Sequence, residues 1–513
     1  MNTIGFNNFR KFTEFPAIQL GGITLLVGGN NSGKSTLVKA LLLMRDFLTQ
    51  KITKRGNFFE VLTPELRFDS NYIHIGSFKR AFCNKCSAEE TTMTFTTGIG
   101  QFLFEVKVNG DRSKDSSLPH VSELTIVDDV RAVKLAYNYS SNLMSATFLP
   151  NEEIKAKNQQ IDLLKQQMAE LEKHQVDQKN FAQIIKLKDE MDSIDAKIRA
   201  LGSSEEEKEL SLSFNMALTL DVAGGLLMPE LVRQFAKYSM QGTTGDKRSA
   251  KYKKEEGDKN ILKGKSPLLN AMAIDLEHLL SFEQVEYIYA HSASQQVLYN
   301  IKDSNDFLSK TIHEFYMSRI SEGDVEYSFI QKWMDMFDIG VSFKIETVAG
   351  EAYQVEITDT DNDTVQLADK GMGSIQMMIL LLRLATLIRK YKGATTPVTM
   401  LVEEPEQNLH PAFQSLLADL LLEVNQEYGC HFIVETHSEY LIRRSQALVA
   451  TLYGTKNSLV NNPFVTYYMP KNGVPYSMSY NENGRFEEKF GEGFFDEAGK
   501  SNMILMKKER GLA

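Results

Sequence analysis

The sequence predicts an α/β fold organised around a phosphate-binding loop. An apolar run from Ile23 to Val27 precedes the segment Gly28 to Ser35, and an apolar helical run from Thr36 to Met44 follows it. Strand, loop and helix in this order are the context that a phosphate-binding loop requires. Two later apolar runs, Thr399–Val402 and Phe432–Val434, each end in acidic and polar residues. The three observations together favour a parallel sheet that carries a nucleotide site.

The segment Gly28 to Ser35 satisfies the pattern G-x-x-x-x-G-K-[ST] in full. Backbone N–H groups of such a loop and of the following helix N-terminus favour an anionic phosphate. By their places in the pattern, Lys34 is predicted to reach the β- and γ-phosphates and Ser35 to bind Mg²⁺. The residues predicted to bind ATP are Gly28, Asn30, Asn31, Ser32, Gly33, Lys34, Ser35 and Thr36.

The run that ends in Glu403 and Glu404 has the form of a Walker B strand, an apolar strand followed by acids. Glu403 is predicted to hold the Mg²⁺ shell, and Glu404 to orient or deprotonate an attacking water. His437 follows the next apolar strand, where a histidine can hydrogen-bond the γ-phosphate. The alternatives are an acidic turn after a core strand and a purely structural histidine.

Gly371, Gly373 and Ser374 lie at the predicted start of a helix, upstream of the two acids. Glycines and a serine at a helix N-terminus make an anion site. A plain helix cap is the alternative interpretation.

The composition indicates an ordinary globular protein. The chain has 513 residues, of which 42% are hydrophobic and 24% charged, and its net charge is −10. This charge argues against a globally basic nucleic-acid binder. The longest apolar run, near Met377 to Leu382, is too short to span a bilayer, and no signal segment is evident. Three cysteines provide no disulfide framework, so we expect a cytoplasmic protein. A lone Cys83-x-x-Cys86 pair lacks further ligands at zinc spacing.

Four segments are predicted. Residues 1–148 form the N-terminal part of an ATPase head with a β-rich lobe, and residues 283–513 form its C-terminal part. Residues 149–205 carry apolar stripes at heptad spacing, which predict a short coiled-coil hairpin or two ordinary amphipathic helices. Residues 206–282 are predicted as a helical insert with a basic loop at 247–265. That loop is either a solvated segment or a contact for nucleic acid or a partner.

The motifs together resemble ABC-type ATPases of the RecF, structural-maintenance-of-chromosomes (SMC) and OLD group. The resemblance is carried by Asn8 to Phe12, by the phosphate loop and by Glu403-Glu404-Pro405-Glu406-Gln407-Asn408-Leu409-His410-Pro411. The last motif resembles in particular the ATPase subunits of bacterial anti-phage defence systems, such as the Septu ATPase (PtuA-like). Departures from the group are Glu403, where most members have Asp, and the absence of a Leu-Ser-Gly-Gly-Gln signature.

This resemblance implies a homodimer or higher oligomer in which two subunits sandwich ATP head to tail. Gly371, Gly373 and Ser374 of one subunit would then cap the ATP of the other. Too few residues follow His437 for the nuclease domain of OLD proteins. The resemblance therefore implies a partner effector, a nuclease from the same operon. The short apolar run predicts no membrane association.

Three hypotheses about function remain open at this stage. The first is a defence ATPase that controls a separate effector through ATP-dependent dimerisation. The second is a RecF- or SMC-like repair ATPase that acts directly on DNA. The third is a scaffold in which ATP is a static ligand and is not turned over. A transporter subunit is disfavoured by the motif forms.

Overall fold

The computed structural model describes residues 2–52, 66–70, 72–114, 118–150, 160, 163–166, 184, 187–188, 190–194, 209–215, 225–243, 245–282, 285–290, 292–301, 306–393, 397–492 and 494–509. The chain divides into two compact units. The first comprises Met1–Ile18 and Ala40–Phe282, and the second comprises Gln19–Lys39 and Glu283–Ala513.

The strands in chain order are β1 Thr3–Phe9, β2 Phe12–Gln19, β3 Ile23–Gly28, β4 Thr92–Ile99, β5 Phe102–Asn109, β6 His120–Asp128, β7 Val133–Asn138, β8 Leu143–Phe148, β9 Leu210–Asn215, β10 Val285–Ile288, β11 Tyr299–Asn300, β12 Ser342–Val348, β13 Ala352–Thr358, β14 Thr364–Gln366, β15 Thr399–Glu403, β16 His431–Thr436, β17 Phe464–Met469 and β18 Tyr476–Met478. The helices are α1 Lys34–Leu48, α2 Phe78–Ala81, α3 Leu227–Tyr238, α4 Ala250–Phe282, α5 Phe307–Met317, α6 Val325–Met336, α7 Met372–Lys390, α8 Pro411–Tyr428, α9 Glu439–Leu452, α10 Lys456–Leu459 and α11 Glu497–Glu509.

The first unit is built on an eight-stranded sheet with the order β2-β1-β4-β5-β6-β7-β8-β9. Neighbouring strands from β1 to β9 pair antiparallel. Along β5 the side chains alternate, with Phe102, Phe104, Val106 and Val108 buried and the residues between them partly exposed. This period of two is what a sheet with one packed face requires. The predicted β-rich lobe is therefore confirmed.

The segment 206–282 differs from the prediction in two ways. It begins with a strand, β9, which pairs with β8 and completes the sheet of the first unit. Its basic stretch is not a loop, because α4 runs as one helix of 33 residues through Pro267. The predicted basic loop is therefore wrong, apart from the few residues that precede Ala250.

The reason lies in the side chains between the lysines. Tyr252 and Leu262 are buried, so the segment has an apolar side that packs against the protein. Lys259 pairs with Glu255 one turn earlier, at 3.2 Å. Ion pairs at this spacing stabilise helices. The density of charged residues suggested a loop, but tertiary packing and local pairing favour the helix.

Little of the predicted hairpin at 149–205 can be assessed. In the described parts the backbone is helical, and Leu164 and Ile194 form one buried cluster with Leu187 and Met191. Ile184, another residue of the predicted apolar stripes, is helical and half-buried. The remaining stripe residues lie outside the described residues: Ile154, Ile161, Met168, Leu171, Ile198 and Leu201. The coiled-coil hairpin therefore stays a prediction.

The second unit contains a six-stranded sheet with the order β10-β15-β16-β3-β17-β18. Its first five strands are parallel, and β18 is antiparallel to β17. The residues of β3 are all buried, which is typical of a central strand covered on both faces. This sheet confirms the predicted α/β class. It also places β16 between the strand of the phosphate loop and the strand that ends in Glu403.

Helix α7 is the apolar helix at the centre of the second unit. By length and composition it could cross a membrane, since it has 19 residues, but 83% of its apolar window is buried inside the protein. Its one internal charge, Arg383, is buried and paired with Glu286 and Glu314. The helix is longer than the apolar run seen in the sequence, and its burial identifies it as a core helix.

The packing of β16 generates a prediction about stability. Phe432 is 0% exposed on this strand. Phe432→Ala should lower the free energy of unfolding by about 3–5 kcal/mol, because it leaves a cavity in a closed core. Urea unfolding followed by tryptophan fluorescence measures it, since the one tryptophan, Trp333, lies in the same core. Val460→Ala, at a side chain that is 85% exposed, is the control and should shift stability by less than about 0.5 kcal/mol. Equal effects would contradict the assigned core.

Candidate nucleotide-binding and catalytic site

The phosphate loop connects β3 to α1, in the second unit, and its backbone requires glycine. A Cβ at Gly28 would lie 2.4 Å from the carbonyl oxygen of Met469. Gly33 and Asn31 adopt positive φ angles of 109° and 60°. Glycine adopts this region without strain, and asparagine tolerates it better than most residues. Asn30 and Asn31 are exposed at the tip, whereas Ser32, Lys34 and Thr36 are buried.

The Lys34 ammonium lies folded into this loop. Its Nζ donates to the carbonyl oxygens of Gly28 at 3.0 Å and Gly29 at 3.2 Å, and it lies 3.0 Å from His437 Nε2. Burial lowers the pKa of Lys34, and the neighbouring carboxylates of Glu435, Glu404 and Glu406 oppose that shift.

The sheet order brings the predicted catalytic residues together. Glu404 follows β15 and His437 follows β16, so both lie at the carboxyl edge from which the phosphate loop also leaves. His437 Nε2 is 3.8 Å from Glu404 Oε1. Burial, followed by the charge of Lys34, lowers the pKa of His437. Lys34, Glu404 and His437 thus form one cluster.

Glu404 is held in an unusual conformation. Its φ is +45°, in the left-handed region, which costs a residue other than glycine about 1–3 kcal/mol. Its N–H donates to the Glu435 carbonyl oxygen at 2.7 Å, and Gln376 Nε2 donates to its carbonyl oxygen at 3.2 Å. Gln407 donates to its carboxylate. The surrounding hydrogen bonds therefore fix both its backbone and its side chain, and sequence reasoning assigned no role to either glutamine.

Glu406 has a role that the sequence motif did not reveal. Its side chain is buried, and Oε1 accepts a hydrogen bond from the His437 N–H at 2.6 Å. Burial raises the pKa of Glu406, and the bond from His437 opposes that shift. The last acid of Glu-Glu-Pro-Glu therefore ties the Walker B loop to the end of β16. His410 of the same motif caps α8, where its Nδ1 accepts from the Ala412 N–H at 3.3 Å.

The sequence analysis also missed Glu435. Ser35 Oγ lies 3.1 Å from both carboxylate oxygens of Glu435, and Lys34 Nζ lies 3.7 Å away. Burial raises the pKa of Glu435 to about 7, Glu403 and Glu404 act in the same direction, and Lys34 and Ser35 oppose the shift. The available signal was an acid one residue before the end of an otherwise apolar strand beside the predicted site.

Glu403, which was predicted to hold the Mg²⁺ shell, is bonded to residues at the β10 edge of the sheet. Its Oε2 accepts a hydrogen bond from the Ala290 N–H at 3.4 Å, and its carboxylate is hydrogen-bonded with the Tyr287 hydroxyl. Burial raises its pKa. The predicted metal pair was Ser35 with Glu403, but the carboxylate that contacts Ser35 belongs to Glu435.

These donors fit a small divalent cation. Glu404, Glu435 and His437 each offer one ligand atom, and the three atoms lie within 4.8 Å of one another. The Ser35 hydroxyl adds a further oxygen beside Glu435. Mg²⁺ prefers oxygen ligands from one or two carboxylates together with phosphate and water. The residues at this edge could therefore hold the ion.

At the start of α7, the predicted anion site, Gly371 is open whereas Gly373 is closely packed. Gly371 is the N-cap residue, with no side-chain cap, and a Cβ there would meet nothing within 4 Å. A Cβ at Gly373 would lie 2.5 Å from the Asn408 carbonyl oxygen. Gly373 therefore permits close packing on the Glu403–Pro411 loop of its own chain. Ser374 is half-buried in the first turn.

Cys83 and Cys86 do not form a metal site with other described residues, where the one cluster of suitable ligands is that of Glu404, Glu435 and His437. Cys86 Sγ donates to Asn8 Oδ1 at 3.0 Å. Burial, and then the neighbouring Cys83, raises the pKa of Cys86 to about 12.

Comparisons with solved structures return SMC head domains. The Smc head domain of Pyrococcus furiosus, with an extended coiled coil and bound to the C-terminal domain of ScpA, is 11% identical with a TM-score of 0.31, and the match covers 99% of each chain. The Smc head domain of Pyrococcus yayanosii, with a coiled coil and joint, is 12% identical with a TM-score of 0.32, over 94% of this chain and 97% of that one.

These identities and TM-scores are low, and no curated protein matches the sequence. The family is established by a separate sequence match. Residues 1–442 match the family AAA_15, described as an AAA ATPase domain. This range includes the phosphate loop, both Walker B acids, Glu435 and His437. The chain belongs to the AAA ATPase domain family.

Proposed function

We propose that this protein binds ATP together with Mg²⁺ and hydrolyses it, with turnover slow enough to act as a regulatory switch. The observation that carries the proposal is the cluster of Lys34, Glu404 and His437 around the phosphate loop. Each of the three comes from a different segment of the chain, and each has a residue type suited to phosphoryl chemistry.

In this mechanism Lys34 leaves the loop carbonyls and donates to the β- and γ-phosphate oxygens. Bound Mg²⁺ would supply positive charge that stabilises the phosphates during cleavage. Glu404, fixed by Gln407, accepts a hydrogen bond from the attacking water and orients it towards the γ-phosphate. His437 is neutral near pH 7, because its pKa is lowered, and it contacts the γ-phosphate through Nε2.

We propose that the active state is a homodimer or a higher homo-oligomer that sandwiches ATP. The support is the start of α7, where Gly371 is open and Ser374 stands in the first turn without capping the helix. Free N–H groups at a helix start bind anions. They would reach the γ-phosphate held by another subunit. Gly373, packed on Asn408, would keep this helix start aligned with the loop that carries Glu404.

We further propose that the ATPase controls a separate effector, a nuclease encoded in the same operon, in cytoplasmic antiviral defence. The support is the resemblance of the Glu403–Pro411 motif to defence ATPases. In addition, the described residues contain one cluster of metal-binding side chains, and the proposed ATP site accounts for it. The chemistry on an invading nucleic acid would then come from the partner.

The alternative is a RecF- or SMC-like ATPase that acts directly on DNA. The sequence feature that favoured this alternative was the basic segment 247–265, and most of that segment forms the start of α4. Lys251, Lys253, Lys254 and Lys263 are exposed there, but at about 100° per residue they point in directions spread around the helix. Exposed Glu256 lies among them. A single basic stripe would favour DNA binding more strongly, so the effector hypothesis is preferred.

The catalytic assignment predicts the behaviour of Glu404→Gln. The amide retains the size of the side chain but cannot accept a proton from water, so the ATP hydrolysis rate should fall by about 100-fold or more. ATP binding should persist, and native mass spectrometry should show a nucleotide-bound dimer that accumulates.

Two further variants make this test specific. Glu439→Gln changes a half-exposed acid on α9 that pairs with Arg443, and this variant should hydrolyse ATP at the wild-type rate. Ser374→Arg in the Glu404→Gln background should still bind ATP but should not accumulate as a dimer, because the larger side chain blocks the open helix start. Normal hydrolysis by Glu404→Gln would show that another group activates the water.

Lys34→Ala tests nucleotide binding itself. Loss of a charge-assisted hydrogen bond to the phosphates costs about 1.5–3 kcal/mol, so the Kd for ATP should rise by roughly 10- to 100-fold. Isothermal titration calorimetry with Mg²⁺ and ATP measures it. Lys456→Ala, an exposed lysine of the same unit, should bind ATP like the wild type. Unchanged affinity in Lys34→Ala would contradict the proposed site.

Copurification tests the effector hypothesis. The tagged protein is co-expressed with its neighbouring genes, with and without the Glu404→Gln substitution. We expect a stoichiometric partner whose retention depends on ATP. A protein that retains no neighbour and binds duplex DNA with a steep salt dependence would support the DNA hypothesis instead.

A further inference from the structure

We propose that Glu435, and not Glu403, is the carboxylate that holds the divalent cation beside Ser35. This inference rests on the proposed function, because it concerns the cation that accompanies ATP. It changes the assignment of the metal site: the acid comes from the strand that ends in His437, and not from the Walker B strand.

The order of the strands is the first argument. β16 lies between β3 and β15, and all three are parallel. Glu435 is paired in register with Leu26 on one side and with Glu403 on the other. Adjacent strands lie about 4.8 Å apart, so Glu403 stands one full strand further from β3 than Glu435 does. The side chain that meets Ser35 is accordingly that of Glu435, with both carboxylate oxygens 3.1 Å from Ser35 Oγ.

The contacts of Glu403 are the second argument. Its carboxylate binds the Tyr287 hydroxyl and the Ala290 N–H, both at the β10 edge of the sheet. β10 pairs with β15 on the side away from β16. These two bonds occupy about half of the acceptor positions of the Glu403 carboxylate and hold it towards β10. Glu403 therefore supports the Walker B strand, and it is not free to reach the ion without breaking them.

Charge balance is the third argument. Glu435 is 5% exposed, and its ammonium neighbour Lys34 must also serve the phosphates of ATP. A carboxylate in the phosphate site would repel the triphosphate of ATP, unless a cation lies between the carboxylate and the phosphates. Ser35, which the pattern assigns to the metal, is exposed and directly adjacent. A divalent ion bound by Ser35 and Glu435 would attract both the carboxylate and the phosphates, and it would thereby remove this repulsion.

The test measures how strongly Mg²⁺ and nucleotide assist each other's binding. Calorimetry gives the Kd of AMP-PNP, a non-hydrolysable ATP analogue, in excess Mg²⁺ and in EDTA, and the ratio of the two is the coupling. Glu435→Gln should reduce this ratio by about 10-fold or more. The affinity of Glu435→Gln for AMP-PNP in EDTA should be no weaker than that of the wild type, because the substitution removes a carboxylate that repels the phosphates. Glu403→Gln is the matched control and should keep the wild-type ratio within about twofold.

Ser35→Ala completes the design as a double-mutant cycle. If Ser35 and Glu435 hold the same ion, the double variant should lose little more coupling than either single variant. Glu435→Asp keeps the charge and should retain most of the coupling, which guards against a general folding defect in Glu435→Gln. Wild-type coupling in Glu435→Gln, or a loss in Glu403→Gln as large as that in Glu435→Gln, would overturn the assignment. Failure of the wild type to bind AMP-PNP in either condition would instead refute the proposed function.

Discussion

The parallel pairing of β16 between β3 and β15 is the constraint on which the site depends. It aligns the carboxyl ends of three strands that are distant in sequence, and from those ends the phosphate loop, Glu404 and His437 project. Hydrogen bonds also join the ends of β15 and β16 directly. The Glu404 N–H donates to the Glu435 carbonyl oxygen, and the Glu406 carboxylate accepts a hydrogen bond from the His437 N–H. A shift in register of β16 by one residue would turn Glu435 to the other face of the sheet. The core around Phe432 and Val434 fixes that register.

The electrostatics follow from this arrangement. Glu404, Glu406 and Glu435 are brought near the Lys34 ammonium in a partly dehydrated edge of the sheet. Burial raises the pKa of Glu403, Glu406 and Glu435 and lowers that of Lys34, so each charged form is disfavoured. A bound cation would favour the charged form of these carboxyl groups, and clustered pKa shifts of this kind are characteristic of functional sites. Glu404 has a strained backbone at the same edge of the sheet, and the hydrogen bond from Gln407 holds its carboxylate in one place.

Sequence reasoning succeeded where chemistry is local. The phosphate loop has a backbone geometry that a short pattern captures, so Gly28, Lys34 and Ser35 could be placed without a structure. The α/β class followed from apolar strands that end in polar residues. It is least informative where the outcome depends on neighbours in space. Glu403 ends β15 and Glu435 stands one residue before the end of β16, and only the order of the strands shows which one meets Ser35. The basic stretch before Pro267 was interpreted as a loop because its charge pattern does not show that Tyr252 and Leu262 are buried by tertiary packing.

The central claim is that one edge of the sheet holds ATP and its cation between Ser35, Glu435 and Glu404. A crystal or cryo-electron-microscopy structure of the Glu404→Gln protein with ATP and Mn²⁺ tests it most directly, because the anomalous signal or the density of Mn²⁺ locates the ion. We expect the triphosphate in the loop Gly28–Ser35, Lys34 Nζ turned from the Gly28 carbonyl oxygen to the phosphates, and the ion beside Ser35 and Glu435. An ion beside Glu403 with Glu435 turned away would contradict the metal assignment. A nucleotide bound elsewhere would contradict the account as a whole.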